Sequence, residues 1–135
     1  MNLVTFKRTI CLALLTAFMS GRIIAAPPLT PESYVTIDLS AQAVTVEGIY
    51  QRLVRLQKSP YDDEDQLRVG QLVQSEVGLI FQEYGVTQTE FLKYGAQHES
   101  EINQWLQENP SAAREYDALE QRRTSLSTQI RAIKE

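Results

Sequence analysis

Polar and apolar positions along this chain repeat with the period of a helix in three long stretches, and with the period of a strand only once and briefly. Val69, Val73, Val77, Ile80 and Tyr84 step by four, four, three and four residues, and Leu72 and Phe81 widen the same side. That spacing predicts an amphipathic helix with one broad apolar face. Asp62, Asp63, Glu64 and Asp65 fall in or just before its first turn, where free N–H groups and the helix dipole favour negative charge. Gly85 follows Tyr84 and suits the left-handed position that ends a helix. Thr87 and Glu90 then have the spacing of a capping box, and Val86 with Phe91 fits the accompanying hydrophobic staple. A turn this tight predicts two antiparallel neighbours. The second of them buries Phe91, Tyr94 or Gly95, His98, Ile102, Trp105 and Leu106, and stops near Asn109 and Pro110.

Two further helices flank this pair. Leu39, Ala43, Val46, Tyr50 and Leu53 repeat at four, three, four and three, predicting a helix over Leu39 to Lys58 with Ile49 and Leu56 beside the stripe. Gly48 is its weak point, costing about 1 kcal/mol against alanine, and a closely approaching neighbour would explain it. The last helix runs from Pro110 to Lys134, with Asn109 as cap and proline at the first position. Ala112, Tyr116, Leu119, Arg123, Leu126, Ile130 and Ile133 make a heptad seam, with arginine at one core position. The strand-like stretch is Tyr34 to Leu39. It has no convincing pairing partner, so residues 26–38 read as an extended arm after Pro27, Pro28 and Pro31. The fold class expected is all-α: a small antiparallel bundle over 39–135, of three main helices plus an N-terminal helix or extended arm.

Residues 1–25 have the organisation of a secretory signal peptide. Lys7 and Arg8 precede an apolar run from Ile10 to Met19, and cleavage fits best after Ala25. The run is too short to span a bilayer, which takes about 20 residues, so no stable membrane insertion is expected after its removal. Cys11, the only cysteine, leaves with this segment. The remainder has no disulfide framework, thiolate metal site or cysteine nucleophile. The removed part carries Lys7, Arg8 and Arg22 and no acid, so 10 basic residues of the original 13 face 17 acidic ones, a formal −7. That charge excludes nonspecific nucleic-acid and anionic-membrane binding, which need basic surfaces.

Candidate chemistry is sparse. His98 is the only histidine and lies on an apolar stripe, so it is either a structural residue or a pH sensor. Within His98, Glu99 and Glu101, only His98 and Glu101 converge on a helix. A pair falls short of the roughly three or four ligands of a zinc site. The acidic run at Asp62 lacks the spacing and the glycine of a calcium loop. No metal or cofactor is expected, and no catalytic residue is singled out. No serine-elbow, phosphate-loop or dinucleotide motif is present. The Leu-Thr-x-x-Gln motif of Spy-type chaperones is not met either, since Gln42 and Gln129 fall one place early after Leu39 and Leu126.

The expected function is an exported, non-catalytic interaction, assembly or chaperone-like module of a bacterial envelope, periplasmic or secreted. Its expected partner is another envelope or secreted protein, or a second copy of itself. Trp105, Tyr116, Leu119, Arg123, Leu126, Ile130 and Ile133 form the expected contact surface, because aromatic side chains and an apolar seam are common anchors. The alternative is a small secreted helical enzyme using carboxylates, with or without His98.

Overall fold

Thr30 opens the first helix. Its hydroxyl accepts from the Ser33 N–H at 3.2 Å, the Ser33 hydroxyl accepts from the Thr30 N–H at 2.8 Å, and Pro31 occupies the first helical position. The structure, a computed structural model, describes residues 26–60 and 62–134, and the signal-like segment 1–25 lies outside them. The described residues form five helices and no strand: α1 Pro31–Lys58, α2 Asp63–Glu83, α3 Gln88–Gln97, α4 Glu99–Glu108 and α5 Pro110–Lys134. The all-α bundle expected from the periodicity is thus present.

The extended arm expected over 26–38 is corrected: the chain is helical from Pro31 onward. The strand-like alternation has a helical cause. Val35 and Ile37, two residues apart, project about 200° from each other around a helix. Both are fully buried, because α1 is covered on more than one side by the other four helices.

α2 begins where Asp62 accepts from the Asp65 N–H at 2.9 Å, with acids filling the first turn. It ends as the sequence predicts. Gly85 takes φ 64°, its N–H donates to Gln82 O and the Val86 N–H donates to Phe81 O, both at 3.0 Å, the paired bonds of a Schellman motif. The Thr87 and Glu90 capping box is also formed, with Thr87 N–H donating to the Glu90 carboxylate at 2.8 Å.

α2 and α3 do not lie side by side as the tight turn suggests. Both are held by α1 instead. Phe91 of α3 stacks on Tyr34 of α1 with centroids 4.4 Å apart, which draws α3 across the N-terminal end of α1. Phe81 at the end of α2 meets Phe91 edge-on at 5.1 Å. Tyr34 continues to Tyr94 at 5.7 Å, and Tyr94 stacks on His98 at 4.3 Å. Five rings therefore join α1, α2 and α3.

The single helix expected to run to Asn109 is broken at His98, which takes φ −120° and ψ 25°. The break lets α3 stay pinned on Tyr34 while α4 lies against both α1 and α5. Along α1 the partners then sort by direction. Arg55 pairs with Asp65 and Gly48 touches Val73, so α2 runs antiparallel to α1. Tyr116 meets Asp38 and Arg123 meets Gln42, so α5 runs parallel to α1 and antiparallel to α2.

Candidate interaction surface

The seam on α5 faces inward. Leu126 is 6% exposed against Val46 and Leu53 of α1, and Leu119, Ile130 and Ile133 border the same cluster with Ile49. At the other end the seam is polar. The Tyr116 hydroxyl donates to Asp38 Oδ2 at 2.8 Å, Gln42 Nε2 donates to the same oxygen at 2.8 Å, and Arg123 Nη2 donates to Gln42 Oε1 at 3.3 Å. Arg123 also pairs with Glu120 at 3.4 Å. Burial first, then the hydrogen bond to Asp38 and its charge, push the Tyr116 phenol well above the ordinary tyrosine range. The arginine at a core position is thereby explained: its head lies at the edge of the interface, reaching across to α1. These six residues, from Tyr116 to Ile133, are brought together by the fold, but as the joint between α5 and α1.

Trp105 is separate from them. It is half-buried on α4 and lines an open groove of about 250 Å³ with Val35, Leu39, Ala112 and Glu115. His98 sits at the joint of α3 and α4, stacked on Tyr94, with Nδ1 3.0 Å from Glu101 Oε2. The expected convergence of this pair is present. Among the described residues, no group of three or more His, Cys, Asp or Glu side chains gathers as a metal site would require. Burial, with Glu101 adding to it, raises the Tyr94 phenol beside the histidine.

Most of the large apolar side chains left in solvent lie elsewhere, on α2 and α3. Leu67, Leu72, Leu79 and Leu92 are 64%, 53%, 60% and 61% exposed. Leu72 and Leu79 are seven residues apart, about two helical turns, and so share one flank of α2. Beside Leu72 a groove of about 270 Å³ opens between α1 and α2, with Val44, Gly48, Val69 and Val73 among its lining and Glu76 and Glu47 at its edges. Gly48 makes this geometry. A Cβ there would run into Cγ2 of Val73, so the two helices approach at Gly48 more closely than any other residue would allow. Glu47 is paired with Arg122 at 3.2 Å, whereas Glu76 and Glu83 make no ion pair with another described residue.

The sequence carries a trace of this surface. Leu72 belongs to the broad apolar face of its helix, while Leu67 and Leu79 fall outside the stepping positions. An apolar residue off the buried stripe is the available signal, and it is weak singly because exposed leucines are common.

No described helix is long and apolar enough to cross a membrane. Comparison with protein-family models, with curated proteins and with solved structures finds no match to this chain.

Proposed function

We propose that the protein is a non-catalytic binding or assembly module exported to the cell envelope, and that it meets its partner through the outer side of α2 and α3. The observation that carries this reading is the exposure of Leu72 and Leu79 on one flank of α2, with Leu92 exposed on the next helix. Apolar side chains grouped on one exposed flank are costly in water, and such a surface commonly serves recognition. The reading turns to α2 rather than to the α5 seam because Leu119, Leu126, Ile130 and Ile133 are packed with Val46, Ile49 and Leu53 of α1. Export is supported by Lys7 and Arg8, the apolar run after them and the small residues at Ala25 and Ala26.

Photo-cross-linking in the living envelope tests the surface. A photoreactive amino acid replaces Leu72, Leu79 or Leu92, and in separate chains the exposed α5 residues Gln121 or Ser125. The expected result is a discrete adduct from the α2 and α3 positions and none from α5. Equal labelling from both faces, or adducts from α5 alone, overturns the proposal. Secretion is read in the same cells by the size of the mature chain and its compartment.

A further inference from the structure

Around α2, Arg68, Ser75, Glu76 and Glu83 fall within about 60° of Leu72 and Leu79. All six are exposed. The flank therefore carries both signs of charge, with arginine near one end and glutamate at the other. Arg68 pairs within the chain with Glu64 at 3.1 Å, and both side chains are largely in solvent. Asp65, at the start of the same flank, is taken by Arg55, which also lines the groove beside it. Glu76 and Glu83 make no ion pair with another described residue.

This flank has a centre. Leu72 and Leu79 lie equally far along the chain from the midpoint of Ser75 and Glu76, and so do Arg68 and Glu83. A two-fold axis through that midpoint lays two copies of α2 antiparallel. Leu72 then stands against Leu79 of the other copy, Arg68 against its Glu83 and Glu76 against its Ser75, and each pair occurs twice.

We infer that α2 pairs through this flank with α2 of a second copy of the chain, antiparallel about an axis between Ser75 and Glu76. The inference rests on the proposed function above and names its partner. Leucines cover leucines, an arginine meets a carboxylate at each end, and the Ser75 hydroxyl can donate to Glu76 of the other copy. A partner surface of one charge sign meets either Arg68 or Glu83 with like charge, whereas a second copy answers both. Charge also sets the direction, because parallel packing in register brings Arg68 to Arg68 and Glu83 to Glu83. One approach is unfavourable: beside the axis the two Glu76 side chains come near each other. Removing that charge should tighten the pair.

The chain without residues 1–25 is sedimented at concentrations from about 1 µM to about 1 mM, where a contact built on a few side chains shows its dissociation constant. A monomer–dimer equilibrium is expected. Leu72→Gln with Leu79→Gln weakens it about tenfold or more. Arg68→Glu alone and Glu83→Arg alone each weaken it, and the two in one chain restore it, because the pair is remade with its signs exchanged. Glu76→Gln strengthens it. Ser75→Cys puts a thiol beside the axis, in a chain with no other once Cys11 has left. Mild oxidation is expected to link two such copies. Gln74→Cys is also exposed but lies about 100° further round the helix, and links far more slowly.

A chain that stays monomeric at about 1 mM overturns the inference. Adducts to a different protein from Leu72 and Leu79 in cells would then keep the binding module and remove only its second copy, whereas loss of those adducts as well removes the proposed function. A dimer that keeps its affinity in the double glutamine chain, with no rescue by the charge exchange, is joined through another surface, and the inference fails. Equal rates of oxidation for the two cysteine chains also overturn it.

Discussion

The two sides of α1 are held by different means. Toward α5 apolar residues of both helices pack around Leu126, a run of hydrogen bonds from Tyr116 through Asp38 and Gln42 to Arg123 fixes the register, and a groove of about 390 Å³ stays open beside Leu39, Ala43 and Ala118. Toward α2 Gly48 admits Val73 at a close approach, the Arg55–Asp65 pair pins one end, and at the other Phe81 meets Phe91, which stacks on Tyr34 of α1. A helix can thus be firmly attached while one of its flanks stays open. α5 commits its apolar side chains to the fold, whereas α2 keeps Leu72 and Leu79 in solvent.

The largest effect is expected where the filled side is emptied. Leu126→Ala should cost about 2–5 kcal/mol, the range for deleting a buried leucine, measured by urea unfolding. A loss under about 0.5 kcal/mol would mean that α5 contributes little to holding the bundle. On the other side, Gly48→Ala tests the point contact. Helix propensity alone favours the alanine by up to about 1 kcal/mol, but the new methyl group meets Val73. Overpacking of that kind costs about 1–3 kcal/mol, so the net change should be destabilising. Gly70 and Gly78 lie on the same pair of helices with nothing within 4 Å of a Cβ. Alanine at either should stabilise by about 0.5–1 kcal/mol. Opposite signs at Gly48 and Gly78 would locate the close approach by measurement.

Much of this contrast is legible in the amino-acid sequence. The Gly85 turn, the Thr87–Glu90 cap and the ends of α5 are local, and local chemistry decides them, whereas Gly48 announces a close neighbour without saying that it is Val73. What the sequence hides is nonlocal. The start of α1 is obscured because Val35 and Ile37 are buried on opposite sides by different neighbours, so a helix imitates a strand. Thr30, Pro31 and Ser33 hold the contrary signal, a second capping box. The direction of α3 is hidden because Tyr34, its stacking partner, lies in the stretch that reads as an extended arm. The place of the α5 seam is obscured for a related reason: a heptad stripe has the same pattern whether its partner is another protein or α1.

The polar end of the α1–α5 contact should respond to pH. Tyr116 is held protonated by burial and by Asp38, and burial also raises Tyr34. Below about pH 10 the phenols are protonated in both folded and unfolded chains, so they add no pH dependence. As pH rises past the unfolded value, the unfolded chain releases these protons and the folded chain keeps them. Stability therefore falls, and continues to fall until the folded phenols titrate. Tyr116→Phe should cost about 1–3 kcal/mol at neutral pH, for a hydrogen bond to a charged group, and should flatten the alkaline decline. Urea unfolding at pH 8 and pH 11 separates the two effects, and an unchanged slope in the variant would assign the decline to other groups.

The smallest expected change in stability is the one that divides the two sides most cleanly. Leu79→Gln replaces a side chain that is 60% exposed, and surface substitutions of this kind usually stay within about 0.5 kcal/mol. The same holds for Leu72→Gln. Together they should leave the unfolding midpoint nearly where it was while removing the cross-linked adduct formed from position 92. A seam residue cannot behave in this way, because Leu126 contributes to folding whatever else it does. If the double glutamine variant instead unfolds as readily as Leu126→Ala, then the two leucines are part of the core and α2 has no free flank. Stability with lost binding would mean that the chain carries, at little cost to its fold, apolar surface that is used only when a partner arrives.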